Sequence, residues 1–477
     1  MSLAEPEDRS DTAAFVCNRS ESVLSVIEKC LDNGLGSCLI VEDDQRFIGR
    51  ISLDDIRQAL VNGTAIEDPS LDWYLAGAMA SAQRLRNDIE HEVLQPMVDP
   101  GGHLTGVLID RSMQRVQIAM PTLTRHEFRS MLDAFISSWI SSRGPYVHKF
   151  EQDFSRFVGV RHGVAVSNGT VALHLALVAL GIGPGDEVIV PDLTFAATIN
   201  AVLYCGATPV IVDVDPRTWC MALESVEPAC TSRTKAIIPV HLYGRPAEIG
   251  PISDFARSRG IAVVEDCAEA HGARYDGQSV GQFSDISCFS FYANKIVTTG
   301  EGGMCLTGSE DLATSLRELR DHGMSPDRSY WHERVGYNYR ITNLQAAIGQ
   351  SQLWCVNEVL QRNARIAALY QEALEGIPGV RFPPSMPDEY EPVVWLACAQ
   401  VPADKRLPLM RAAHERRIEM RPFFYPLSTL PPYGRFARVG CPNSAELSAT
   451  GINLPTSRAV DEQIVERVAR VFHDVLA

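Results

Sequence analysis

The sequence predicts an α/β fold for residues 118–477, with a mostly parallel sheet whose two faces are covered by helices. Short apolar runs that end in polar or glycine-rich turns recur along this range, and we interpret them as buried strands: GVAV, EVIVP, AIIPVH, IAVVE and SCFSF. Helical segments such as VALHLALVALGI and the stretch around DLATSLRELRDHG lie between them. This alternation favours a parallel sheet, because the connection between two parallel strands is usually a helix. Ligands of such sheets bind beyond the carboxyl ends of the strands.

Chain length and the change of pattern along the chain predict three parts. At 477 residues, the chain exceeds the size at which a single hydrophobic core stops growing. We predict an N-terminal module at residues 1–117 and a large domain at 118–355, whose first segment, 118–144, is an arm. A small C-terminal domain follows at 356–477, and it reads as a helix, short strands and a final helix.

Charge and cysteine usage exclude several classes of protein. The net charge of −16 argues against a nucleic-acid binder, since such proteins neutralise phosphates with clustered lysine and arginine. Residues 1–117 alone carry 20 Asp and Glu against 10 Lys and Arg. Twelve cysteines without C-x-x-C spacing predict neither a metal site nor a disulfide framework. Because we find no secretory signal and no membrane-spanning apolar run, we expect a cytoplasmic protein with reduced thiols.

The N-terminal module contains two similar segments. Residues 37–60, SCLIVEDDQRFIGRISLDDIRQAL, and residues 95–112, QPMVDPGGHLTGVLIDRS, each read as an apolar strand, an acidic turn and a second strand. Before the first segment, SVLSVIEKCLDNG has apolar residues at helical spacing and a glycine that suits a helix end. These residues are Val23, Val26, Ile27, Cys30 and Gly34.

The module resembles the paired CBS modules that bind adenine nucleotides, in which Ser or Thr followed three residues later by Asp holds the ribose and phosphate. Ser52 and Asp55 match that pattern in the first copy, whereas the second copy has Ile109 at the Ser/Thr position. The resemblance therefore implies one nucleotide site at most. A regulatory role with a bound ligand and a structural or assembly role both stay open.

Three segments of the large domain carry candidate chemistry. In SNGTVALHLALVAL, a polar turn leads into an apolar helix whose first N–H groups favour a phosphate, although a simple helix cap has the same pattern. IAVVEDCAEAHGA ends a buried strand with Glu265 and Asp266, where a carboxylate would project into the ligand crevice. CFSFYANKIVTTGEGG places Lys295 between apolar runs. Burial lowers the pKa of such an amine, and Schiff-base chemistry requires a lowered pKa.

Together with further motifs, these segments resemble the DegT-type nucleotide-sugar aminotransferases, a branch of the fold-type I enzymes that use pyridoxal 5′-phosphate. The resemblance covers nearly all of residues 118–477. The stretches that carry it are SSWISSRGPYVHKFE, SNGTVALHLAL, GDEVIVPDLTF, VHLYG, EDCAEA, FSFYANKIVTTGEGGM, YWHERVGYNYRITNLQAAIG, EMRPFFYPLSTLPPY and GINLP. It implies a mostly parallel seven-stranded sheet, a small C-terminal α+β domain, and pyridoxal 5′-phosphate as the cofactor.

The resemblance also implies roles for the residues that match the family's cofactor site. Lys295 would form the Schiff base with the cofactor and shuttle protons, and Asp266 would pair with the pyridinium nitrogen. Glu269 would reach the ring hydroxyl side, and Phe195 would stack on the ring. The residues that match the phosphate contacts are Gly169, Thr170 and Ser290.

Other matched residues concern the substrate and a second subunit. Asn338, in GYNYR, matches a residue that the neighbouring subunit contributes to the phosphate, so the resemblance implies a homodimer with shared active sites. A higher oligomer through the N-terminal module stays open. The residues in segments that would line the nucleotide-sugar side are Ser142, Arg143, Arg421 and Tyr425.

The activity that the resemblance implies is transfer of the amino group of L-glutamate to the C4 keto group of a nucleotide-linked 4-keto-6-deoxy sugar. The expected acceptor is GDP-linked 4-keto-6-deoxymannose, and a UDP- or dTDP-linked keto sugar is the alternative. From another class, a ligand-sensing regulator with an inactive aminotransferase body would fit the N-terminal module. Residues 1–117 are acidic, however, where a DNA-binding domain would be basic.

Overall fold

The computed structural model describes residues 12–61, 71, 94–109, 114–325 and 327–477, which form two units. Each unit combines separate stretches of the chain. The first unit comprises Met1–Val116, Thr122–Arg129 and Arg458–Arg467, and the second comprises Gln117–Pro121, Ser130–Ser457 and Val468–Ala477. The division into three parts that the sequence suggests stays a prediction.

The first unit contains a three-stranded sheet, two helices and a separate hairpin. Its elements are β1 (Val16–Asn18), α1 (Val23–Asp32), β2 (Ser37–Val41), β3 (Phe47–Ser52), α2 (Leu53–Val61), β4 (Leu94–Val98) and β5 (Leu104–Ile109). The sheet order is β1-β2-β3, with β1 parallel and β3 antiparallel to β2. β4 and β5 pair antiparallel, so both predicted two-strand segments are confirmed, although residues 110–112 lie outside the described residues.

The helix predicted before the first segment is α1. The four apolar residues that predicted it are all buried, and Ser22 accepts the Ser25 backbone N–H at the start of the helix. Beyond its end, Gly34 has φ +68°, a conformation in which a β-carbon is strained. The helical spacing and the glycine stop were therefore correct predictions.

The second unit is built on a seven-stranded sheet with two smaller sheets beside it. Its strands are β6 (His162–Val166), β7 (Glu187–Pro191), β8 (Thr208–Val212), β9 (Thr234–Ile237), β10 (Ala262–Asp266), β11 (Arg274–Tyr275), β12 (Gln278–Ser279), β13 (Ile286–Ser290), β14 (Gly303–Thr307), β15 (Tyr390–Glu391), β16 (Ala397–Gln400), β17 (Arg421–Pro422) and β18 (Gly451–Leu454). The small sheets have the orders β12-β11-β15 and β16-β18-β17.

Helices connect and cover these strands, although residues 125–129 of the first helix and 462–467 of the last belong to the first unit. They are α3 (Arg125–Ile136), α4 (Pro145–Val158), α5 (Gly169–Ala179), α6 (Ala197–Tyr204), α7 (Leu223–Val226), α8 (Ile249–Ser258), α9 (Glu310–Arg320), α10 (Asn343–Gln352), α11 (Val356–Leu374), α12 (Ala403–Glu415), α13 (Pro442–Thr450) and α14 (Glu462–Leu476). Short 3-10 helices lie at Thr12–Ala14, Glu227–Ala229, Leu242–Gly244, Leu427–Thr429 and Gly434–Phe436. None of the helices in the described ranges is long and apolar enough to cross a membrane.

The large sheet has the order β6-β14-β13-β10-β9-β7-β8. Only β14 runs antiparallel to its neighbours, which confirms the predicted mostly parallel seven-stranded sheet. The five apolar runs that the sequence singled out are β6, β7, β9, β10 and β13, whereas β8 and β14 were not predicted. The long helix predicted after residue 356 is α11, and the predicted final helix is α14.

Apolar packing covers both faces of this sheet. On one face α5 is buried from Ala172 to Leu177, as expected for a helix that is apolar all round. On the other face α4 places Phe154 against Phe289, with ring centroids 5.0 Å apart. Neighbouring residues of β13, Cys288 and Phe289, belong to the two opposite clusters, because successive side chains of a strand point to opposite faces. Burial of each large apolar side chain stabilises the fold by about 1.5–3 kcal/mol.

Candidate active site

Candidate residues from three segments meet at the carboxyl ends of neighbouring strands. β10 ends at Asp266, β13 ends at Ser290 with Lys295 five residues further on, and α5 begins at Gly169 shortly after β6. β10 and β13 are adjacent and parallel, so their carboxyl ends lie at the same edge of the sheet. This edge is where α/β sheets bind ligands.

The amine of Lys295 is enclosed by a carboxylate and an aromatic ring. Its side chain is 10% exposed, and Nζ lies 3.3 Å from Glu269 Oε1. On another side Nζ lies 3.7 Å from the centroid of the Trp395 ring. Burial lowers the pKa of the Lys295 amine, while the charges of Glu269 and Asp266 act in the opposite direction. A larger fraction of this amine is therefore neutral, and nucleophilic, than for a lysine on the surface.

Asp266 is a buried carboxylate held by two hydrogen bonds. Thr198 Oγ1 donates to Oδ2 at 2.9 Å, and the Ala268 N–H donates to Oδ1 at 3.2 Å. Burial raises the pKa of Asp266, and the charge of Lys295 partly offsets that effect. Such a carboxylate is suited to pairing with a cationic group of a ligand, because pairing removes the cost of burying its charge.

Glu269 connects the amine to the turn after β9. Its Oε2 accepts the Tyr243 backbone N–H at 2.9 Å, and burial raises the pKa of the Glu269 carboxyl. Tyr243 has φ +53°, which is rare for a residue with a side chain, and Gly244 follows it. A β-carbon at Gly244 would lie 2.2 Å from the Val393 carbonyl oxygen, so only glycine fits there. Both backbone features direct the Tyr243 N–H at Glu269.

The start of α5 packs tightly against the neighbouring strands. The Asn168 side chain caps the helix by accepting the Val171 N–H at 3.0 Å. A β-carbon at Gly169 would lie 2.8 Å from Ser290 Cβ, and one at Gly303 would lie 2.5 Å from the Asn168 carbonyl oxygen. The structure therefore brings Gly169 and Ser290 together. Thr170 follows in the first turn, where backbone N–H groups favour an anion.

Two exposed aromatic residues lie near this site. Phe195 is 59% exposed, and its carbonyl oxygen accepts the N–H of Thr198, the residue that hydrogen-bonds Asp266. The Phe195 ring lies 5.7 Å from that of Phe424, and the next residue, Tyr425, is 57% exposed. An exposed aromatic ring on the segment that hydrogen-bonds Asp266 suits stacking on a flat ligand.

The other residues predicted for the substrate and for the second subunit have different partners. Within the described parts of the chain, no side-chain hydrogen bond connects them to the Lys295 amine. Ser142 is half-buried and Arg143 is exposed, in a loop that precedes α4. Arg421 is exposed and paired with Glu419, with Nη2 2.8 Å from Oε1. Asn338 Oδ1 accepts a hydrogen bond from Arg340 at 3.1 Å.

A second buried acid at the end of β10 has a structural role. Glu265 points to the opposite face from Asp266, where one of its oxygens lies within 4.8 Å of a His241 ring nitrogen and of the Cys267 sulfur. Its oxygens already accept hydrogen bonds from the Gly281 N–H at 2.6 Å, from Ser284 Oγ at 2.7 Å, and from His241 at 3.2 Å. Because these hydrogen bonds already engage the Glu265 oxygens, we interpret the cluster as one that holds the turn before β13 and not as a metal site.

Three residues of the site were not predicted from the sequence: Thr198, Tyr243 and Trp395. Thr198 reaches Asp266 across 68 positions of sequence, and Trp395 reaches the segment of Lys295 through a hydrogen bond to the Asn294 carbonyl. Tyr243 acts through its backbone. None of these contacts leaves a local signal, although the glycine after Tyr243 marks an unusual turn.

Comparison with known proteins gives consistent matches. The sequence profile of the DegT/DnrJ/EryC1/StrS aminotransferase family matches residues 121–473. GDP-perosamine synthase of Caulobacter vibrioides is 43% identical over 367 residues, covering 76% of this chain and 99% of that protein. UDP-N-acetyl-3-dehydro-α-D-glucosamine 3-aminotransferase of Acidithiobacillus ferrooxidans is 41% identical, covering 68% and 87%. The solved structure of aminotransferase TlmJ from Streptoalloteichus hindustanus has TM-score 0.72 and 31% identity, covering 76% and 98%.

Proposed function

The chain belongs to the DegT/DnrJ/EryC1/StrS aminotransferase family, and on that premise we propose that it transfers the amino group of L-glutamate to the C4 keto group of GDP-linked 4-keto-6-deoxymannose, giving GDP-perosamine. The substrate assignment is supported by the 43% identity to the Caulobacter vibrioides enzyme over nearly its whole length. The observation that carries the chemistry is the buried amine of Lys295 beside the buried carboxylates of Glu269 and Asp266.

The cofactor of this aminotransferase is pyridoxal 5′-phosphate, and the residues present fit it. Asp266 offers a buried carboxylate for the ring nitrogen, and Lys295 offers a buried amine for the aldehyde. Gly169 begins α5 directly beside Ser290, and the N–H groups of this helix start are suited to a phosphate. When bound, the cofactor supplies an electron sink for the carbon from which a proton is removed.

The chain's own groups then bind, orient and move protons. We propose that Lys295 Nζ takes the proton from the α carbon of the donor and returns it to the cofactor side. Its lowered pKa keeps the amine available as a base. When the cofactor is bound, Asp266 would keep the ring nitrogen protonated, Glu269 would face the ring hydroxyl, and Phe195 would stack on the ring. Thr170 and Ser290 bind the phosphate with the N–H groups at the start of α5.

The test is spectroscopic. Purified protein incubated with pyridoxal 5′-phosphate should absorb visible light, and L-glutamate should remove that absorbance. Lys295→Ala should lose both properties and all measurable transamination, while its circular dichroism stays that of the wild type. Retained transamination in Lys295→Ala would show that another group is the nucleophile.

The nucleotide is the second question. We propose that Ser142, Arg143, Arg421 and Tyr425 line the nucleotide-sugar side, and the exposure of Arg421 and Tyr425 is compatible with contact to a substrate. A UDP-linked sugar is the second candidate, because a relative that is 41% identical is named for a UDP-linked substrate. GDP-, UDP- and dTDP-linked keto sugars should be compared side by side as acceptors. A kcat/KM that is highest for the UDP or dTDP sugar would overturn the GDP assignment.

We propose that the active unit is a homodimer in which Asn338 of one copy binds the phosphate in the other. An exposed apolar surface on the arm supports a partner, since Phe135, Ile136 and Trp139 are 65%, 71% and 54% exposed. Mixing inactive Lys295→Ala and Asn338→Ala proteins tests this arrangement. A mixed dimer then contains one intact site if Asn338 acts across the interface, so activity should return. If Asn338 acts within its own chain, no site is intact.

For the first unit we propose an assembly or structural role. Ser52 and Asp55 hydrogen-bond each other, with Ser52 Oγ donating to Asp55 Oδ2 at 2.6 Å and the Asp55 N–H donating to Ser52 Oγ at 3.2 Å. This reciprocal pair caps the start of α2, which engages both side chains locally. A thermal-shift screen with AMP, ATP and GDP-linked nucleotides tests the regulatory alternative, which predicts stabilisation that Asp55→Ala removes.

The twelve cysteines are all free thiols, which supports a reducing compartment, and we propose the cytoplasm. The proposal of a regulator with an inactive body is opposed by the assembled Lys295, Asp266 and Glu269 cluster. A protein that binds the cofactor but never responds to L-glutamate would favour that alternative.

A further inference from the structure

The Lys295 amine rests on the face of the Trp395 ring. The distance from Nζ to the ring centroid is 3.7 Å, and Trp395 is 6% exposed. The indole N–H donates to the Asn294 carbonyl oxygen at 2.7 Å, so the ring is fixed to the backbone directly before Lys295. An ammonium over an indole face is attracted by the negative face of the ring, and this attraction is strongest where water is excluded.

The ring and the carboxylate beside the amine are held by one residue. The Tyr243 N–H donates to Glu269 Oε2 at 2.9 Å, and the Tyr243 ring stacks near Trp395 with an interplanar angle of 19°. Nζ therefore lies between Glu269 Oε1, at 3.3 Å, and the Trp395 face. Both surroundings favour a positive charge on the amine and offset part of the cost of burying it, while burial still lowers the pKa of the amine.

We propose that Trp395 and Glu269 form an amine seat, which positions the Lys295 amine and partly offsets the cost of burying its positive charge when the amine is not bonded to the cofactor. This inference rests on the proposed function, in which the same amine is alternately bonded and free. Trp395 is then a positioning residue: it keeps the free amine close to the reacting carbon and limits its motion toward solvent.

The charged and titratable groups that face this amine are few among the described residues. Glu269 and Asp266 lie on the segment after β10 and act on the amine through their charges. His271, two residues beyond Glu269, is fully buried, and burial lowers its pKa to about 3, so it is neutral at physiological pH. The indole ring is thus an uncharged contribution that can be removed separately from the two carboxylates.

The first experiment measures the pKa of the Lys295 amine in cofactor-free protein. Trace labelling with acetic anhydride across a pH series, read by peptide mass spectrometry, reports the fraction of neutral amine. Trp395→Leu should lower this pKa by about one unit, from the size of a desolvated cation–π contact, and Trp395→Phe should lower it less. Trp219→Phe is the matched control, because Trp219 is also buried beneath a cation, Arg245, and should leave the pKa unchanged. An unchanged pKa in both Trp395 variants would overturn the amine seat.

A second experiment reads Trp395 itself and requires only the conservative Trp395→Phe variant to fold. The fluorescence of cofactor-free wild type minus that of Trp395→Phe gives the Trp395 signal, which should change with the pH-dependent charge of the Lys295 amine. Lys295→Met should abolish the change. A Trp395 signal that ignores pH, or a change that survives Lys295→Met, contradicts the proposal even if Trp395→Leu fails to fold.

Both measurements are made without the cofactor, so they separate the two claims. If the amine titrates as expected but pyridoxal 5′-phosphate gives no visible absorbance, the amine seat stands and the proposed function fails. If the cofactor binds and responds to L-glutamate while the Lys295 pKa ignores Trp395, the proposed function stands and the amine seat fails.

Discussion

At the scale of single residues, the site concentrates groups that are costly to bury. Lys295, Asp266 and Glu269 lie together with little access to water. Burial lowers the pKa of the Lys295 amine and raises the pKa of both carboxyls, so it favours the neutral form of each group. One amine cannot fully pair with two carboxylates, so the cofactor-free site carries an electrostatic cost. Such strain is common where function requires a perturbed pKa, because a catalytic base must be partly neutral near physiological pH.

Asp266→Asn should therefore stabilise the cofactor-free protein at pH 7 while abolishing transamination. Asparagine has the same shape, and its oxygen can accept the Ala268 N–H while its amide donates to Thr198 Oγ1. Because burial raises the pKa of Asp266, the wild-type residue favours folding below the unfolded pKa of Asp and loses this advantage as pH rises through the folded pKa. The rise in Tm should thus be a few degrees at neutral pH and should shrink toward pH 4, as followed by thermal melts. A variant that is less stable at pH 7 and more stable at pH 4 would contradict this sign.

At the scale of elements, the start of α5 and the segment 421–428 position the site. α5 begins where β13 and β14 approach it so closely that only glycine fits at Gly169 and Gly303. The segment 421–428 is held at one end by the Phe424 N–H, which donates to Tyr243 Oη at 3.1 Å. At the other end it is held by Asp192, which follows β7.

Gly169→Ala should weaken both folding and cofactor binding. The added β-carbon would lie 2.8 Å from Ser290 Cβ, so the helix start must move away from β13. We expect a loss of about 1–3 kcal/mol in the free energy of unfolding, typical of overpacking, and weaker binding of pyridoxal 5′-phosphate by titration. Gly183→Ala is the matched control, since nothing lies within 4 Å of a β-carbon there. Equal affinity for the cofactor in both variants would remove the role proposed for this helix start.

Ser428→Ala should raise the KM for the keto sugar several-fold and leave the half-reaction with L-glutamate nearly unchanged. Ser428 donates its N–H to Asp192 Oδ1 at 2.7 Å and its hydroxyl to Oδ2 at 2.9 Å, which fixes the segment that carries Tyr425. Loss of the hydroxyl costs about 1–3 kcal/mol, because Asp192 is fully buried.

Ser444→Ala is the control for that prediction. Ser444 Oγ donates to Asp213 Oδ1 at 2.7 Å in the same manner, but it lies outside residues 421–428. The control should lose comparable stability in thermal melts without a change in KM for the sugar. Similar kinetics in both variants would show that the Asp192 contact only stabilises the fold.

At the scale of the whole molecule, the first unit draws segments from distant parts of the sequence. Arg129 pairs with Glu28, with Nε 2.6 Å from Oε1, and Arg458 donates to the Leu31 carbonyl oxygen at 3.1 Å. The matched family profile, in contrast, begins at residue 121, and the Lys295 and Asp266 site lies entirely in the second unit. Stability and chemistry should therefore respond differently to removal of the N-terminal residues.

Deletion of residues 1–117 should lower the stability of the protein but preserve its transamination. Arg129 and Arg458 lose partners, and Phe128 loses the apolar cluster that it packs against. None of the residues proposed to bind the cofactor is removed. Thermal melts and the L-glutamate half-reaction measure the two effects. A contrary result is a truncated protein that folds and binds added pyridoxal 5′-phosphate but loses the half-reaction completely. That result would show that the first unit takes part in the chemistry.

Local patterns predicted much of the fold. Helical spacing gave α1 with its four buried residues, and apolar runs gave five of the seven strands of the large sheet. β8 and β14 were not predicted because β8 contains a proline and β14 begins with a glycine, and both residue types are typical of turns. The strand-end positions of Asp266 and Lys295 were also readable, because the turn after a buried strand shows in the sequence.

By itself the sequence determined which residue types stand at or shortly after the ends of buried strands. These are a carboxylate at Asp266, an amine at Lys295 and a glycine at Gly169. The tertiary structure alone decided which groups surround them, including the Trp395 face and the Thr198 hydroxyl. The physical reason is the separation along the sequence of the residues that interact. Strand and helix periodicity arise from neighbours a few positions apart, whereas the surroundings of a buried charge come from residues 68 to 101 positions away that meet only when the sheet is assembled.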